Sequence, residues 1–291
     1  MSVMRDLNYE LKALCHRNHD GSFATQANRR HILNQIADDL HQLGFRHLQV
    51  TSLKPKHVEK LIEHWQKDDI SVGTIKNRMA ALRWWAEKIS KPGIVRKSNQ
   101  AYGIPDRIYV TNADKSRELS DGDLSQITDE RVRASLELQA AFGLRREESI
   151  KFIPSWADRG DKIALKGSWC KNGRPREILI RTSEQRALID RLKTDYGNQS
   201  LIPSDKTYVQ QLNRFVYQCR KAGIQRVHGH RHRYAQNRYE EITGWQCPAA
   251  GGIPSNQLTP KQKEEDRTAR LLISNELGHE RESITAQYLG H

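Results

Sequence analysis

The feature that most constrains the fold is a hydrophobic period of about 3.6 residues, repeated across the first third of the chain. In NRRHILNQIADDLHQLGF, Ile32, Leu33, Ile36, Leu40 and Leu43 fall on one helical face, and Gly44 supplies a stop. KPKHVEKLIEHWQK repeats the pattern through Val58, Leu61, Ile62 and Trp65. In SVGTIKNRMAALRWWAEKI, Ile75, Met79, Leu82, Trp85 and Ile89 turn inward, while Lys76, Arg78, Arg83 and Lys88 lie elsewhere on the circumference. With a weaker helical pattern near residues 4–15, these segments predict a small basic helical bundle over residues 1–90. Helical spacing alone accounts for the Trp and Met positions as core.

From residue 91 to 114 the text changes to KPGIVRKSNQAYGIPDRIYVTNAD, broken by Pro92, Gly93, Gly103 and Pro105, and is expected to be a basic, extended linker. A second domain then occupies 115–291. Ser120 can cap a helix, a longer one runs from about Glu130 to Phe142, and Gly143 interrupts it before LRREESIKF. The β-rich runs IALKGSW and REILI flank Asn172-Gly173, a pair that favours the positive φ of a tight turn, so a hairpin is expected. Helical patterns return at TSEQRALIDRLK and at TYVQQLNRFVYQCRKAG, the second ending at Gly223. The fold class is therefore mainly α with a small β-sheet: a helical domain followed by a mixed α/β domain.

Charge narrows the partner. Lysine and arginine number 48 against 35 acidic residues, a net +13, which is the electrostatic footprint of a polyanion-binding protein. Mean hydropathy is −0.80, and no apolar run approaches the roughly 18 residues of a membrane helix. The first 21 residues lack the unbroken apolar stretch of a signal peptide, so a cytoplasmic location is expected. Cys15, Cys170, Cys219 and Cys247 are widely spaced with no C-x-x-C pair, and read as reduced thiols without assigned chemistry.

Four stretches of the second domain hold reactive or phosphate-seeking residues: GLRREE at 143–148, CKNGRPR at 170–176, HGHRHR at 228–233, and LGH at 277–279 with Tyr288 nine residues beyond its histidine. Singly each has an ordinary explanation. An arginine behind a glycine is often a helix start paired with an acid such as Glu148, and hairpin tips commonly carry lysine. Together they suit a phosphodiester. Two arginines can hold the non-bridging oxygens and stabilise the charge of a five-coordinate phosphorus. A histidine and a lysine can move protons to and from the attacking and leaving oxygens. A tyrosine hydroxyl can serve as nucleophile, which splits the reaction into two transfers. This chemistry requires no cofactor and no metal.

In this order the residues resemble the tyrosine recombinases of the phage integrase family, which carry an arginine in G-L-R-x-x-E, a hairpin lysine, H-x-x-R, L-G-H and then a tyrosine. The matching positions are Arg145 with Glu148, Lys171, His228 and Arg231, His279, and Tyr288. The resemblance extends to the domain plan: a helical core-binding domain before a mixed α/β catalytic domain of tyrosine-recombinase type. It implies that Tyr288 attacks a DNA phosphate to leave a 3′-phosphotyrosyl link and a free 5′-hydroxyl. Arg145 and Arg231 would clamp the phosphate, His279 orient it, Lys171 protonate the leaving oxygen, and His228 exchange the tyrosine proton. Glu148 would hold the geometry by an ion pair. Lys166, on the first hairpin strand, is a second candidate for the lysine role. DNA contacts are expected from Lys76, Arg78, Arg83, Arg146, Lys166, Arg174 and Arg176.

The resemblance further implies a C-shaped clamp on double-stranded DNA, inverted half-sites, and a homo-tetramer built as a dimer of dimers. Accessory DNA-bending or directionality factors and a nucleoid-associated location belong to the same expectation. His230 and His232 are expected to pack or to contact backbone; Tyr217, Tyr234 and Tyr239 are expected in the core. A metal site at HGHRH lacks matching ligand spacing elsewhere. The stretch 243–270 is longer than the family usually has there and reads as an inserted loop, and the chain ends three residues after Tyr288, where many relatives continue in a tail that docks on the next protomer. Three rival readings are a catalytically silent DNA-binding or architectural protein on the same scaffold, a type IB topoisomerase, and a metal-dependent nuclease using the clustered histidines. Replacement of Tyr288, strand exchange between duplexes, and chelator sensitivity respectively discriminate them.

Overall fold

Capping and breaking residues set the helix limits in the first unit, Met1–Ile108, of a computed structural model that describes residues 6–279 and 281–291, with the backbone alone at Glu282. Helix α1 (Asp6–Arg17) realises the weaker pattern, whose residues 4 and 5 lie outside the described residues. Ser22 caps α2 (Phe23–Gln42) by accepting from the Thr25 N–H, and Ser71 does the same for α4 (Val72–Lys88) through Thr74. Between them, α3 (Pro55–Lys67) starts on a proline, whose missing N–H costs nothing in a first turn. Gly44 turns the chain after α2 with φ 93°. Leu33, Ile36, Leu40, Val58, Leu61, Trp65, Met79, Leu82 and Trp85 fill one apolar core, with Ile32, Leu43 and Ile89 half-buried at its edge.

Much of the expected linker belongs to this core. Residues 92–104 form two 3-10 turns, Pro92–Ile94 and Gln100–Tyr102, and bury Val95 (3% exposed) and Ile104 (1%) in the bundle. The Pro and Gly breakers mark turns rather than an extended strand, and the chain divides after Ile108.

The second unit, Tyr109–His291, begins with α5 (Asp121–Ser125), capped by Ser120, and α6 (Glu130–Phe142), capped by Asp129 and stopped by Gly143 at φ 61°. Short helices α7 (Arg146–Ile150) and α8 (Pro154–Ala157) lead to β1 (Lys162–Leu165) and β2 (Arg176–Leu179). The strands pair antiparallel from Lys162 opposite Leu179 to Leu165 opposite Arg176. The hairpin is present, but its connection is a folded loop over 166–175; Asn172 and Gly173 take φ 64° and 71° at its tip. A Cβ on Gly167 would lie 2.4 Å from the Gly173 carbonyl oxygen, so the loop closes on itself.

Helices α9 (Ser183–Tyr196), α10 (Tyr208–Lys221), α11 (His228–Thr243), α12 (Pro260–Glu276) and α13 (Glu282–Leu289) complete the unit. Helix α11 packs against α6, α12 and α13. The reading of 243–270 as one loop is corrected: Thr259 and Gln262 form a capping box with Pro260 in the first turn, so the charged KQKEEDRTAR run is helical. Residues 244–259 between α11 and α12 hold two 3-10 turns, Pro248–Ala250 and Ser255–Gln257, and send Cys247 and Ala249 into the core. Tyr234 and Tyr239 are buried as expected, whereas Tyr217 is 61% exposed on the outer face of α10 and is not a core residue. All four cysteines are free. Among the described residues no helix is long and apolar enough to cross a membrane.

Candidate active site

Arg231 organises the site. It lies three residues into α11, is 1% exposed, and uses every guanidinium nitrogen on protein. Nε donates to the Tyr288 hydroxyl at 3.2 Å, Nη1 donates to the Gly143 carbonyl, and Nη2 to the Leu277 carbonyl. Nη2 also stands 3.4 Å from Nε2 of His279. One side chain thereby joins the end of α6, the L-G-H turn and α13. Burial pulls its pKa down to about 10, which leaves it charged at neutral pH. Gly143 is needed here twice over, for its positive φ and because a Cβ would sit 2.5 Å from the Tyr234 ring.

Arg145 is set by the start of α7. Its backbone N–H donates to Glu148 Oε2 at 2.7 Å, its Nη1 to Oε1 at 2.7 Å, and its Nη2 to the Gly278 carbonyl at 3.3 Å. Glu148 is fully buried and takes a second arginine: Arg176 Nη1 and Nη2 approach its two oxygens at 2.8 and 2.7 Å. Burial alone would raise the Glu148 pKa. The Arg176 hydrogen bonds and the charges of Arg176, Arg145 and Arg231 outweigh it and hold the carboxyl at about 2. Arg176 Nε donates to the Glu276 carbonyl at 2.8 Å. The expectation that Arg176 contacts DNA is thus corrected: its three nitrogens face inward, because a buried carboxylate between two arginines needs both. Gly278, with φ 64°, fits where a Cβ would press to 2.9 Å from the Arg176 side chain.

Three histidine rings surround Tyr288. His228 and His232, one helical turn apart on α11, have ring centroids 5.8 and 4.6 Å from the tyrosine, and His279 lies at 5.5 Å. The Tyr288 hydroxyl is 3.4 Å from His228 Nε2. Crowding by protein, then the charges of Arg231 and Arg145, lowers His228 to about 4, although one edge stays exposed. Burial, then Arg231, lowers His279 to about 3. Burial, then His228, lowers His232 to about 4. All three rings are neutral at pH 7.

The structure therefore gathers Arg145, Glu148, His228, Arg231, His279 and Tyr288. Lys171 stands exposed on the β1–β2 loop with Arg174. Lys166 holds its ammonium 4.5 Å from the Trp156 ring centroid and 5.4 Å from that of Trp169. Arg146 is exposed at the start of α7. Lys76, Arg78 and Arg83 belong to the first unit, where they meet Asp106, Asp39, and the Arg96 carbonyl with Asn99. His230 Nδ1 is 3.0 Å from the Arg117 carbonyl, the expected backbone contact. Among the described residues no three His, Cys, Asp or Glu side chains converge so that they could hold a metal ion.

Residues 4–91 match a family model described as phage integrase, N-terminal, and residues 109–237 match one described as integrase. The chain belongs to the phage integrase family of tyrosine recombinases. Solved structures share the recombinase fold. The Tn1549 transposon integrase in complex with transposon right end DNA matches with a TM-score of 0.57 and 14% identity, over 99% of this chain and 95% of that one. A lambda integrase tetramer bound to a Holliday junction matches with a TM-score of 0.57 and 14% identity, over 97% of this chain and 75% of the other. A lambda integrase dimer bound to a COC′ core site gives 0.57 and 13%, over 97% and 93%. No curated protein sequence is significantly similar to this recombinase.

Sequence reasoning missed the place of two residues in this cluster. His232 was read as packing, and it does pack, but against Tyr288; its i,i+4 spacing from His228 was the signal. Arg176 is expected from sequence among the DNA contacts, and its side chain instead pairs with Glu148. The carbonyls of Gly143 and Leu277 carry no side-chain signal at all.

Proposed function

We propose that this recombinase cleaves and rejoins double-stranded DNA at specific sites through a 3′-phosphotyrosyl intermediate, in the integration or excision of a mobile element. The observation that carries the reading is the Tyr288 hydroxyl held between Arg231 Nε at 3.2 Å and His228 Nε2 at 3.4 Å. Neutral His228 takes the hydroxyl proton as the Tyr288 oxygen attacks phosphorus. The bond from phosphorus to the 5′-oxygen breaks, and the Lys171 ammonium protonates the departing oxygen. Arg145, Arg231 and neutral His279 hold the non-bridging oxygens as negative charge grows on them. A 5′-hydroxyl from the partner strand then reverses the sequence and frees Tyr288. The ring contacts of Lys166 favour the exposed Lys171 for the acid role.

Protons and phosphate balance without a metal or a nucleotide, so the reaction is metal- and ATP-independent in this reading. DNA with inverted half-sites, bound by a dimer of dimers, is the substrate; Arg146 and Arg174 are exposed and suited to phosphate contact. If each protomer neutralises about 8 phosphates, the log-log salt slope of binding is about −7.

The test is a randomised library of nicked duplexes, whose short cleaved fragment diffuses away and traps any covalent adduct, incubated with chelator. Chelator-resistant adducts that share a sequence are expected. DNA binding without adducts would instead favour a silent architectural protein. Strand exchange between two duplexes, rather than relaxation alone, separates a recombinase from a topoisomerase.

A further inference from the structure

The stretch 112–117, at the beginning of the second unit, runs behind the nucleophile rather than away from it. Asn112 and the backbone of His291 exchange two hydrogen bonds: Asn112 Nδ2 donates to the His291 carbonyl at 3.0 Å, and the His291 N–H donates to Asn112 Oδ1 at 2.8 Å. Asn112 sits at φ 52°, a left-handed conformation that asparagine tolerates better than most residues. Asp114 Oδ1 accepts from Gln236 Nε2 at 3.0 Å, and the same amide reaches the Tyr288 carbonyl at 3.4 Å. Three residues later, Arg117 donates its N–H to the Gly229 carbonyl, and its own carbonyl accepts from His230 Nδ1 at 3.0 Å, so the stretch is also tied to the first turn of α11 beside His228.

The approach is close on both sides. A Cβ on Gly290 would lie 2.7 Å from Asn112 Oδ1, and one on Gly229 would lie 2.4 Å from the Arg117 side chain. Arg270 Nη1 also donates to the Gly290 carbonyl at 3.0 Å, while Asp266 holds the Arg270 Nε. The residues just past Tyr288 are thus held by two side chains, His291 by Asn112 and Gly290 by Arg270. A helix of eight residues such as α13 has few internal hydrogen bonds to fix its own end.

We propose that 112–117 is a strap that positions Tyr288, with Asn112 as the principal positioning residue and Asp114 acting through Gln236. The strap acts on backbone on either side of the site rather than on the tyrosine hydroxyl, whose partners are Arg231 and His228; it fixes the helix that carries the hydroxyl to the helix that carries His228 and Arg231. A nucleophile displaced by about 1 Å loses on the order of 100-fold in rate. This inference rests on Tyr288 being the nucleophile of a DNA-cleaving enzyme.

The test uses Asn112→Gly in the full chain, since glycine keeps the left-handed backbone without strain and removes only the paired hydrogen bonds. Asn112→Asp, which retains the acceptor for the His291 N–H, is the conservative partner. The probe is a nicked duplex carrying the site that the wild-type chain selects from a randomised library. Adduct formation by Asn112→Gly should slow by about 100-fold, with Asn112→Asp intermediate and DNA binding within about twofold for both. Amide exchange should quicken across 282–289 and stay unchanged across 130–142. Adduct formation by Asn112→Gly at the wild-type rate overturns the strap, as does quickened exchange spread equally over both helices. A wild-type chain that forms no adduct at all refutes the recombinase reading itself, and the strap with it.

Discussion

The two units treat charge in opposite ways. In the first, Leu33, Leu40, Trp65, Met79 and Trp85 make an almost wholly apolar interior, and lysines find partners near the surface: Lys76 with Asp106 at 2.9 Å, Lys88 with Asp20 at 3.0 Å. In the second, charge is taken inside, as Glu148, Arg176, Arg231 and the Asp266–Arg270 pair. A buried ion costs several kcal/mol of desolvation and is tolerated only when its hydrogen-bonding positions are filled. The first unit therefore depends on packing, which is forgiving of detail, and the second on networks that work only when complete. A network of that kind is also what holds reacting groups in place.

Breaking a network should cost most. Glu148→Ala leaves Arg145 and Arg176 facing each other without their counter-charge, and should destabilise the second unit by about 3–5 kcal/mol in urea denaturation while abolishing adduct formation. Glu148→Met combined with Arg176→Met sharpens the point: stability should largely return, but cleavage should not, because Arg145 stays unanchored. In the first unit the matching lesion is a cavity. Leu40→Ala should cost about 3 kcal/mol, with Tyr288 and its histidines untouched.

Acid should separate the units next. His228 and His232 sit at about 4 and His279 at about 3 in the folded chain, against 6.5 ordinarily. Because the folded values are depressed, the unfolded chain takes up protons first as pH falls. The stability contributed by these neutral rings is complete above 6.5 and drains away from there toward about 4. Among the described residues of the first unit, His57 is buried with a lowered pKa, and the melting of that unit should depend less on pH. His232→Phe should flatten the slope of the second unit. The smallest effect belongs to Lys76→Ala, which removes an ion pair with the exposed Asp106 and should cost about 0.5 kcal/mol.

What was legible in the sequence follows the same division. The faces of α2, α3 and α4 could be read from their period, and α6 from Glu130 to Phe142, because a helix buries residues by local spacing. Val95 and Ile104 could not, since single apolar residues among breakers have no period. Helix α12 hid behind a charged run, although Thr259-Pro260 with Gln262 was a start signal in plain view. In the site, the order of Arg145, His228, Arg231, His279 and Tyr288 was readable from motifs. The inward turn of Arg176 was not, because it depends on a carboxylate 28 residues earlier in the chain. Contacts that far apart are decided by packing, which no short window of sequence contains.

The most direct test of the account is to digest the trapped adduct with a protease and map the nucleotide-bearing peptide by mass spectrometry, with Tyr288→Phe run in parallel. The account predicts a nucleotide 3′-phosphate on the peptide containing Tyr288 and no adduct from the phenylalanine variant. A nucleotide on any other residue, or an adduct that survives Tyr288→Phe, would contradict it.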